Sequence, residues 1–318
     1  MPRKGQKLLL QDDLKIFSMK PEIPRNLSKT KIWLLAIRPK TLPAAGAGVI
    51  TGSTLALYDG SFSFFPALAA LFGAILLQIG SNLANDVYDY LRGAESKERL
   101  GPMRVTQAGL LTPKEVQTGM WITFALAASI GIYLITVAGW AILLIGLTAI
   151  LAAIAYTGPI SDKGLGDIFV FLYFGVAAVV GTYYVQALTT TPTAWWMSIP
   201  IGLLIVNILV VNNLRDIDVD KAANKITMAV RMGIQATRVE YLILLGISYL
   251  ILPLLIWMRL VPVWTLLVWL SLPLAWKVAQ TVLNKTGRPL NEALAGTGKI
   301  ALIYSILFFV GIWLAKIF

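Results

Sequence analysis

Two acidic clusters sit at the ends of long apolar runs. One reads Asn82-Leu-Ala-Asn85-Asp86-Val-Tyr-Asp89, the other Asn212-Asn213-Leu-Arg215-Asp216-Ile-Asp218-Val-Asp220-Lys221. Each follows about twenty mostly apolar residues, the length that crosses a bilayer core. A charge at the bilayer centre costs roughly 3 kcal/mol on insertion scales, so carboxylates this close to apolar segments have a partner or a task. Spacings of three and four place the acids of each cluster on one helical face. Such a face can hold a hard divalent cation through oxygen ligands, and Mg2+ held this way also takes substrate phosphates.

Composition states which chemistry is open to these acids. The 318 residues are 57% hydrophobic and only 14% charged, with a mean hydropathy of +0.74. That balance is foreign to a soluble domain and reads as an all-α, polytopic membrane protein. The apolar runs are continuous rather than alternating, which argues against a β-barrel. The net charge of +11 does not point to nucleic acid, because the basic residues lie in short loops between apolar runs, where they act as orientation signals and phosphate binders. There is no cysteine and no histidine. Disulfides, thiolate or imidazole metal sites and cysteine nucleophiles are thereby excluded, leaving carboxylates, cations, hydroxyls and amides.

The elements that must position the acids are nine spans, drawn at roughly 32–57, 64–89, 115–136, 139–156, 167–188, 195–214, 237–258, 262–283 and 294–315. Connections alternate between short uncharged turns, such as Tyr58-Asp-Gly-Ser61, and basic ones. The basic set holds Arg92, Lys97, Arg99, Arg104, Lys114, Lys163, Arg215, Lys221, Lys225, Arg231, Arg238, Lys277, Lys285 and Arg288. The positive-inside rule places that set, and with it both acidic clusters, in the cytoplasm. The N-terminus is then cytoplasmic and the C-terminus outside. Residues 1–30 are polar and lack the order of a signal peptide; they read as a cytoplasmic lead-in to a single transmembrane domain over 31–318. Asn82-x3-Asp86 and Asn212-x3-Asp216 echo one another across four spans, as two half-sites facing one cavity would.

Two carboxylate sets holding Mg2+, ringed by Lys and Arg, suit a diphosphate. A site that opens to the bilayer interior requires a lipid diphosphate, and a polyprenyl diphosphate fits. Ionisation of its allylic C–O bond leaves a carbocation that aromatic faces stabilise, with Tyr88, Tyr90, Tyr156, Phe171, Tyr173, Phe174, Tyr183 and Tyr184 in range by position. Attack by an electron-rich ring then needs no nucleophilic side chain. A solvated helix terminus would account for one acidic pair, but less readily for two on one side, each opened by Asn. A secondary transporter would carry its acids near mid-span, on broken helices.

The chain resembles the UbiA superfamily of intramembrane prenyltransferases, and within it the bacterial branch acting on 1,4-dihydroxy-2-naphthoate. The matching stretches are Arg38-Pro-Lys-Thr-Leu-Pro43, Leu77-Gln-Ile-Gly-Ser-Asn-Leu-Ala-Asn-Asp86, Arg99-Leu-Gly-Pro-Met-Arg104, Gly164-Leu-Gly-Asp167 and Asn212-Asn-Leu-Arg-Asp-Ile217. The resemblance implies nine transmembrane helices around a central cavity, in the cytoplasmic membrane. It implies Mg2+ held by Asp86, Asp89, Asp216 and Asp220, which also carry catalysis. Asn82 and Asn212 then open each motif, and Arg38, Arg92, Lys221 and Lys225 take the diphosphate. Tyr156 is the aromatic nearest the chemistry. The implied reaction joins the prenyl chain to the ring carbon bearing the carboxylate, with loss of carbon dioxide, giving demethylmenaquinone or its quinol. 4-Hydroxybenzoate, homogentisate or a porphyrin are alternative acceptors. Two features depart from the superfamily pattern. Tyr90 stands where other branches carry a third acid, so Asp89 serves instead, and the short Tyr156–Lys163 loop brings Asp162 and Lys163 to the acceptor side.

Overall fold

The computed structural model describes residues 27–93, 100–156 and 163–318. Almost all of the expected polar lead-in lies outside these residues, as do Lys97, Arg99 and Asp162. Among the described residues every regular element is helical. The order is α1 (Lys29–Ile37), α2 (Leu42–Tyr58), α3 (Phe64–Leu91), α4 (Pro113–Ala138), α5 (Trp140–Ala155), α6 (Gly166–Ala187), α7 (Pro192–Ala222), α8 (Met228–Trp257), α9 (Val263–Asn284) and α10 (Leu290–Ile317). Helix α6 contains a π-helical stretch, Phe171–Ala177, and α9 begins as a 3-10 helix over Val263–Ser271. Seven of these, α3, α4 and α6 to α10, are long and apolar enough to cross a membrane. Helices α2 and α5 are shorter, with 17 and 16 residues.

The span expected at 32–57 is two helices rather than one. Arg38 takes a left-handed φ of 52°, and Pro39, which has no N–H to continue the ladder, restarts the chain as the 3-10 turn Pro39–Thr41. Helix α3 pins this break. The Asn82 Nδ2 donates to the Ile37 carbonyl at 2.9 Å and to Thr41 Oγ1 at 3.0 Å, while its Oδ1 accepts from Gln78 Nε2 at 3.3 Å.

Helix α7 is the centre of the bundle, with two thirds of its apolar window buried. Small residues let its neighbours approach backbone to backbone, the usual device where lipid offers no hydrophobic drive between helices. A Cβ on Gly175 of α6 would lie 2.7 Å from the Gly202 Cα of α7, and one on Gly52 of α2 would lie 2.4 Å from the Val179 carbonyl oxygen of α6. Helices α2, α6 and α7 therefore stack tightly, and the space left between them and α3 to α5 is a cavity. The loops at its mouth start their helices with threonine caps. Thr112 and Glu115 form a capping box at α4, and the Thr227 Oγ1 accepts from the Val230 N–H at α8.

Gly52→Val should force α2 off α6, because the atom it meets is backbone and cannot swing aside. Overpacking of this kind costs about 1–3 kcal/mol. The expected result is a lower melting temperature in detergent; an unchanged one would show that the helix pair has slack.

Candidate active site

Both acidic clusters line one cavity of about 610 Å³. The wall from α3 contributes Asn85 and Asp89, and the wall from α7 contributes Asn212, Asn213, Asp216 and Asp220. Arg38, Lys40, Arg104 and Lys225 stand among them, while the depth of the cavity runs between apolar side chains of α4, α5 and α6. Charge is thus collected at one end and hydrocarbon at the other.

Each acidic wall is set by a buried arginine. Asp89 Oδ2 pairs with Arg104 Nη2 at 2.6 Å, and its Oδ1 accepts from Arg92 Nη2 at the same distance. Arg104 also donates through Nη1 to the Asn85 carbonyl at 2.6 Å, so it grips the α3 end twice. Opposite, Arg215 holds Asp216 through Nε at 2.9 Å and through Nη2. Its Nη2 also donates to Asn212 Oδ1, and its Nη1 to Asn291 Oδ1 of α10, both at 2.8 Å. Asn291 Nδ2 in turn donates to the Leu100 carbonyl at 2.9 Å. Next to it, a Cβ on Gly101 would lie 2.7 Å from Arg215 Nη2, so a residue without a side chain lets this loop rest on the guanidinium. Charge-assisted, forked contacts of this sort orient a carboxylate better than a single lysine would.

The first cluster is not arranged as expected. Asp86 is only 1% exposed and is not on the cavity wall. Its Oδ2 accepts from the Val105 N–H and its Oδ1 from the Thr106 N–H, both at 3.1 Å. With each oxygen accepting from a backbone N–H, Asp86 anchors the loop before α4 and lies behind the wall that Asp89 faces. Asn82 reaches the wall, but its amide is committed to the α1–α2 break. The pair that faces the cavity from α3 is Asn85 and Asp89, which has the same i, i+4 spacing one register along.

Other expected residues divide as follows. Asn212, Asp216, Asp220, Tyr156, Arg38 and Lys225 all line the cavity. Arg92, Lys221 and Lys163 are exposed and off its walls; Arg92 Nη2 donates to Asp89 at 2.6 Å, and the Lys163 carbonyl accepts from Arg231 Nη2 at 3.0 Å. Of the aromatic candidates, Tyr156, Tyr173 and Phe174 line the cavity, joined by Phe169, which stacks on Tyr173 with centroids 6.1 Å apart. Tyr88, Tyr90, Phe171, Tyr183 and Tyr184 do not; Tyr183 donates its hydroxyl to Asp59 at 2.7 Å. Arg104 and Arg215, read from sequence as orientation charges, are instead 7% and 2% exposed and act as the clamps of the acids.

All the acidic and amide donors facing the cavity bind through oxygen, which suits Mg2+ rather than a softer ion. Among the described residues no three such acids converge on one point. The acids are split between two walls. That is the arrangement for an ion that takes one or two carboxylates and fills its remaining positions with water and substrate phosphates, so the residues present fit Mg2+ carried in with a diphosphate.

Residues 46–303 match the UbiA prenyltransferase family. The chain is 39% identical over 306 residues to 1,4-dihydroxy-2-naphthoate octaprenyltransferase of Escherichia coli strain K12, covering 92% of this chain and 98% of that one. It is 36% identical over 278 residues to the Mycobacterium tuberculosis protein of the same name, covering 86% and 94%. Among solved structures it superposes on an apo UbiA homologue from Aeropyrum pernix K1 with a TM-score of 0.66 at 15% identity, covering 91% of this chain and all of that one. A UbiA homologue from Archaeoglobus fulgidus, solved with DMAPP and Mg2+, gives a TM-score of 0.64 at 15% identity, covering 88% and 99%.

Asp86→Ala should free the loop that its carboxylate anchors. Hydrogen bonds to a charged group are worth about 1.5–3 kcal/mol each, so amide exchange at Val105 and Thr106 should accelerate about tenfold or more. Unchanged protection at those two amides would contradict the anchoring role.

Proposed function

As this chain belongs to the UbiA prenyltransferase family, we propose that its cavity transfers a polyprenyl chain from polyprenyl diphosphate to 1,4-dihydroxy-2-naphthoate, in a multi-pass protein of the cytoplasmic membrane. One observation carries the reading: Asp89 from one wall and Asp216 and Asp220 from the other border a single hollow that also holds Arg38, Lys40 and Lys225 and continues into hydrocarbon. The family and the relatives named above support the naphthoate as acceptor. The diphosphate lies between the two acidic walls, with Asp89, Asp216 and Asp220 as the residues that would hold Mg2+. When bound, the ion neutralises the diphosphate oxygens and so stabilises the leaving group.

The chain's own residues do the rest. Arg38, Lys40 and Lys225 balance the diphosphate charge that the ion leaves. The apolar walls of α4, α5 and α6 take the prenyl tail and keep water from the allylic carbon. The C–O bond breaks with its electron pair going to the diphosphate. The faces of Tyr156, Tyr173 and Phe174 stand where they can stabilise the allylic cation. The ring carbon bearing the carboxylate attacks, the new C–C bond forms, and the C–CO2 bond breaks with its electrons returning to the ring. The product is demethylmenaquinol. The N-terminus lies in the cytoplasm and the diphosphate site opens to that side.

Purified protein in detergent with Mg2+, a polyprenyl diphosphate and each aromatic acid in turn tests this directly. Prenylated naphthoquinol and carbon dioxide are the expected products; transfer to 4-hydroxybenzoate alone would overturn the acceptor. Asp216→Ala should lower kcat by about 10²-fold or more, the loss typical of removing a preorganised electrostatic group. Chelation should stop turnover and added Mg2+ should restore it. Near-normal turnover in Asp216→Ala would remove the α7 wall from the site.

A further inference from the structure

Asp167 lies in the first turn of α6 and takes no part in the diphosphate site. It borders a second hollow of about 10 Å³ with Gly164, Gly166 and Met228, and with Tyr156, Leu209, Asn213 and Thr227. The last four also line the main cavity, so the two spaces share a wall. The small one has room for a single oxygen atom and not for a ring. Asp167 Oδ1 is buried there and has no hydrogen-bond partner among the described residues.

Local sequence builds this corner. Gly164 has φ +73° and sits so close to the Ile226 carbonyl that a Cβ would come within 3.0 Å. A Cβ on Gly166 would meet Leu209 Cδ2 at 3.0 Å and the Tyr156 hydroxyl at 3.3 Å. Two glycines thus bring the start of α6 against α7 and against Tyr156, with the Asp167 carboxylate at the junction. A buried carboxylate oxygen left without a partner is unfavourable, and a hydroxyl donor supplied by a ligand would satisfy it.

We propose that Asp167 is the base that accepts the proton of the acceptor hydroxyl next to the ring carboxylate. The proposal rests on the acceptor reading above. Asp89 and Asp216 are poor candidates for this step, since each is held by a guanidinium. When the ring carbon bearing the carboxylate bonds to the allylic carbon, the neighbouring hydroxyl gives its proton to Asp167 and its oxygen becomes a ketone. The ring then carries a β-keto carboxylate. Its C–CO2 bond breaks, carbon dioxide leaves, and the electron pair returns through the ring to that oxygen. Asp167 gives the proton back, so no outside acid or base is consumed. The hydroxyl oxygen occupies the small hollow while the ring stays in the large one.

The test compares Asp167→Asn with the parent protein in detergent. A positioned general base contributes about 10²–10⁴-fold, so kcat should fall by that factor with the KM for the prenyl diphosphate unchanged. An acceptor analogue with ring halogens, whose hydroxyl is more acidic, should recover at least tenfold of the loss in Asp167→Asn and gain far less with the parent. Three results would overturn the assignment: kcat within threefold of the parent, equal losses with both acceptors, or a parallel loss of prenyl diphosphate binding, which marks a structural residue. If the parent itself does not prenylate the naphthoate, the acceptor reading fails instead.

Discussion

Carboxylates at the ends of apolar helices need opposite charge close by, and this molecule supplies it with two buried arginines. Arg104 binds Asp89 and the backbone at Asn85; Arg215 binds Asp216, Asn212 and Asn291. Burying an ion pair costs desolvation, and the pair is tolerated when its remaining donors are also used. Arg215 makes four side-chain contacts through all three of its nitrogens. Through Asn291 and the Leu100 carbonyl, its reach extends to the loop between α3 and α4. That same loop supplies Arg104 and receives Asp86. The two acidic walls are therefore not independent. Each is braced by residues 100–106 of the segment between α3 and α4.

This coupling gives the acids a double use. Unoccupied by substrate, Asp89 and Asp216 are neutralised by guanidinium groups. A diphosphate with Mg2+ brings both signs of charge, so it can engage carboxylates and cations together without leaving a buried charge alone. An anion by itself would meet the acids as repulsion, and a cation by itself would meet the lysines and arginines. On the proposed reading the site is complementary to the pair, and the hydrocarbon lining beyond it would take a lipid tail.

Much of this was readable before any coordinates. A helical membrane protein, both acidic clusters at one end, and the Asp216–Asp220 wall follow from hydropathy, charge placement and spacing. The α3 register did not. Asn82-x3-Asp86 and Asn85-x3-Asp89 have identical spacing, and three residues turn a helix by about 300°, so the two pairs face adjacent directions. The packing of the 104–106 backbone on Asp86 keeps that acid off the wall, while Asn82, Asn85 and Asp89 line the cavity. The break at Arg38 was also hidden inside an apolar run, though Pro39 marks it in retrospect. Arg104 and Arg215 looked like topology signals because charge counting along a sequence does not separate a buried guanidinium from an exposed one.

The central claim is that two helix ends form one metal-dependent diphosphate site. Calorimetric titration of a non-ionisable prenyl diphosphate analogue into the parent protein, Asp89→Asn and Asp216→Asn, each with and without Mg2+, measures this most directly. The account predicts tight binding in the parent with Mg2+ and at least tenfold weaker binding when the ion or either wall is removed. Binding that survives loss of one wall, or that ignores Mg2+, would contradict it.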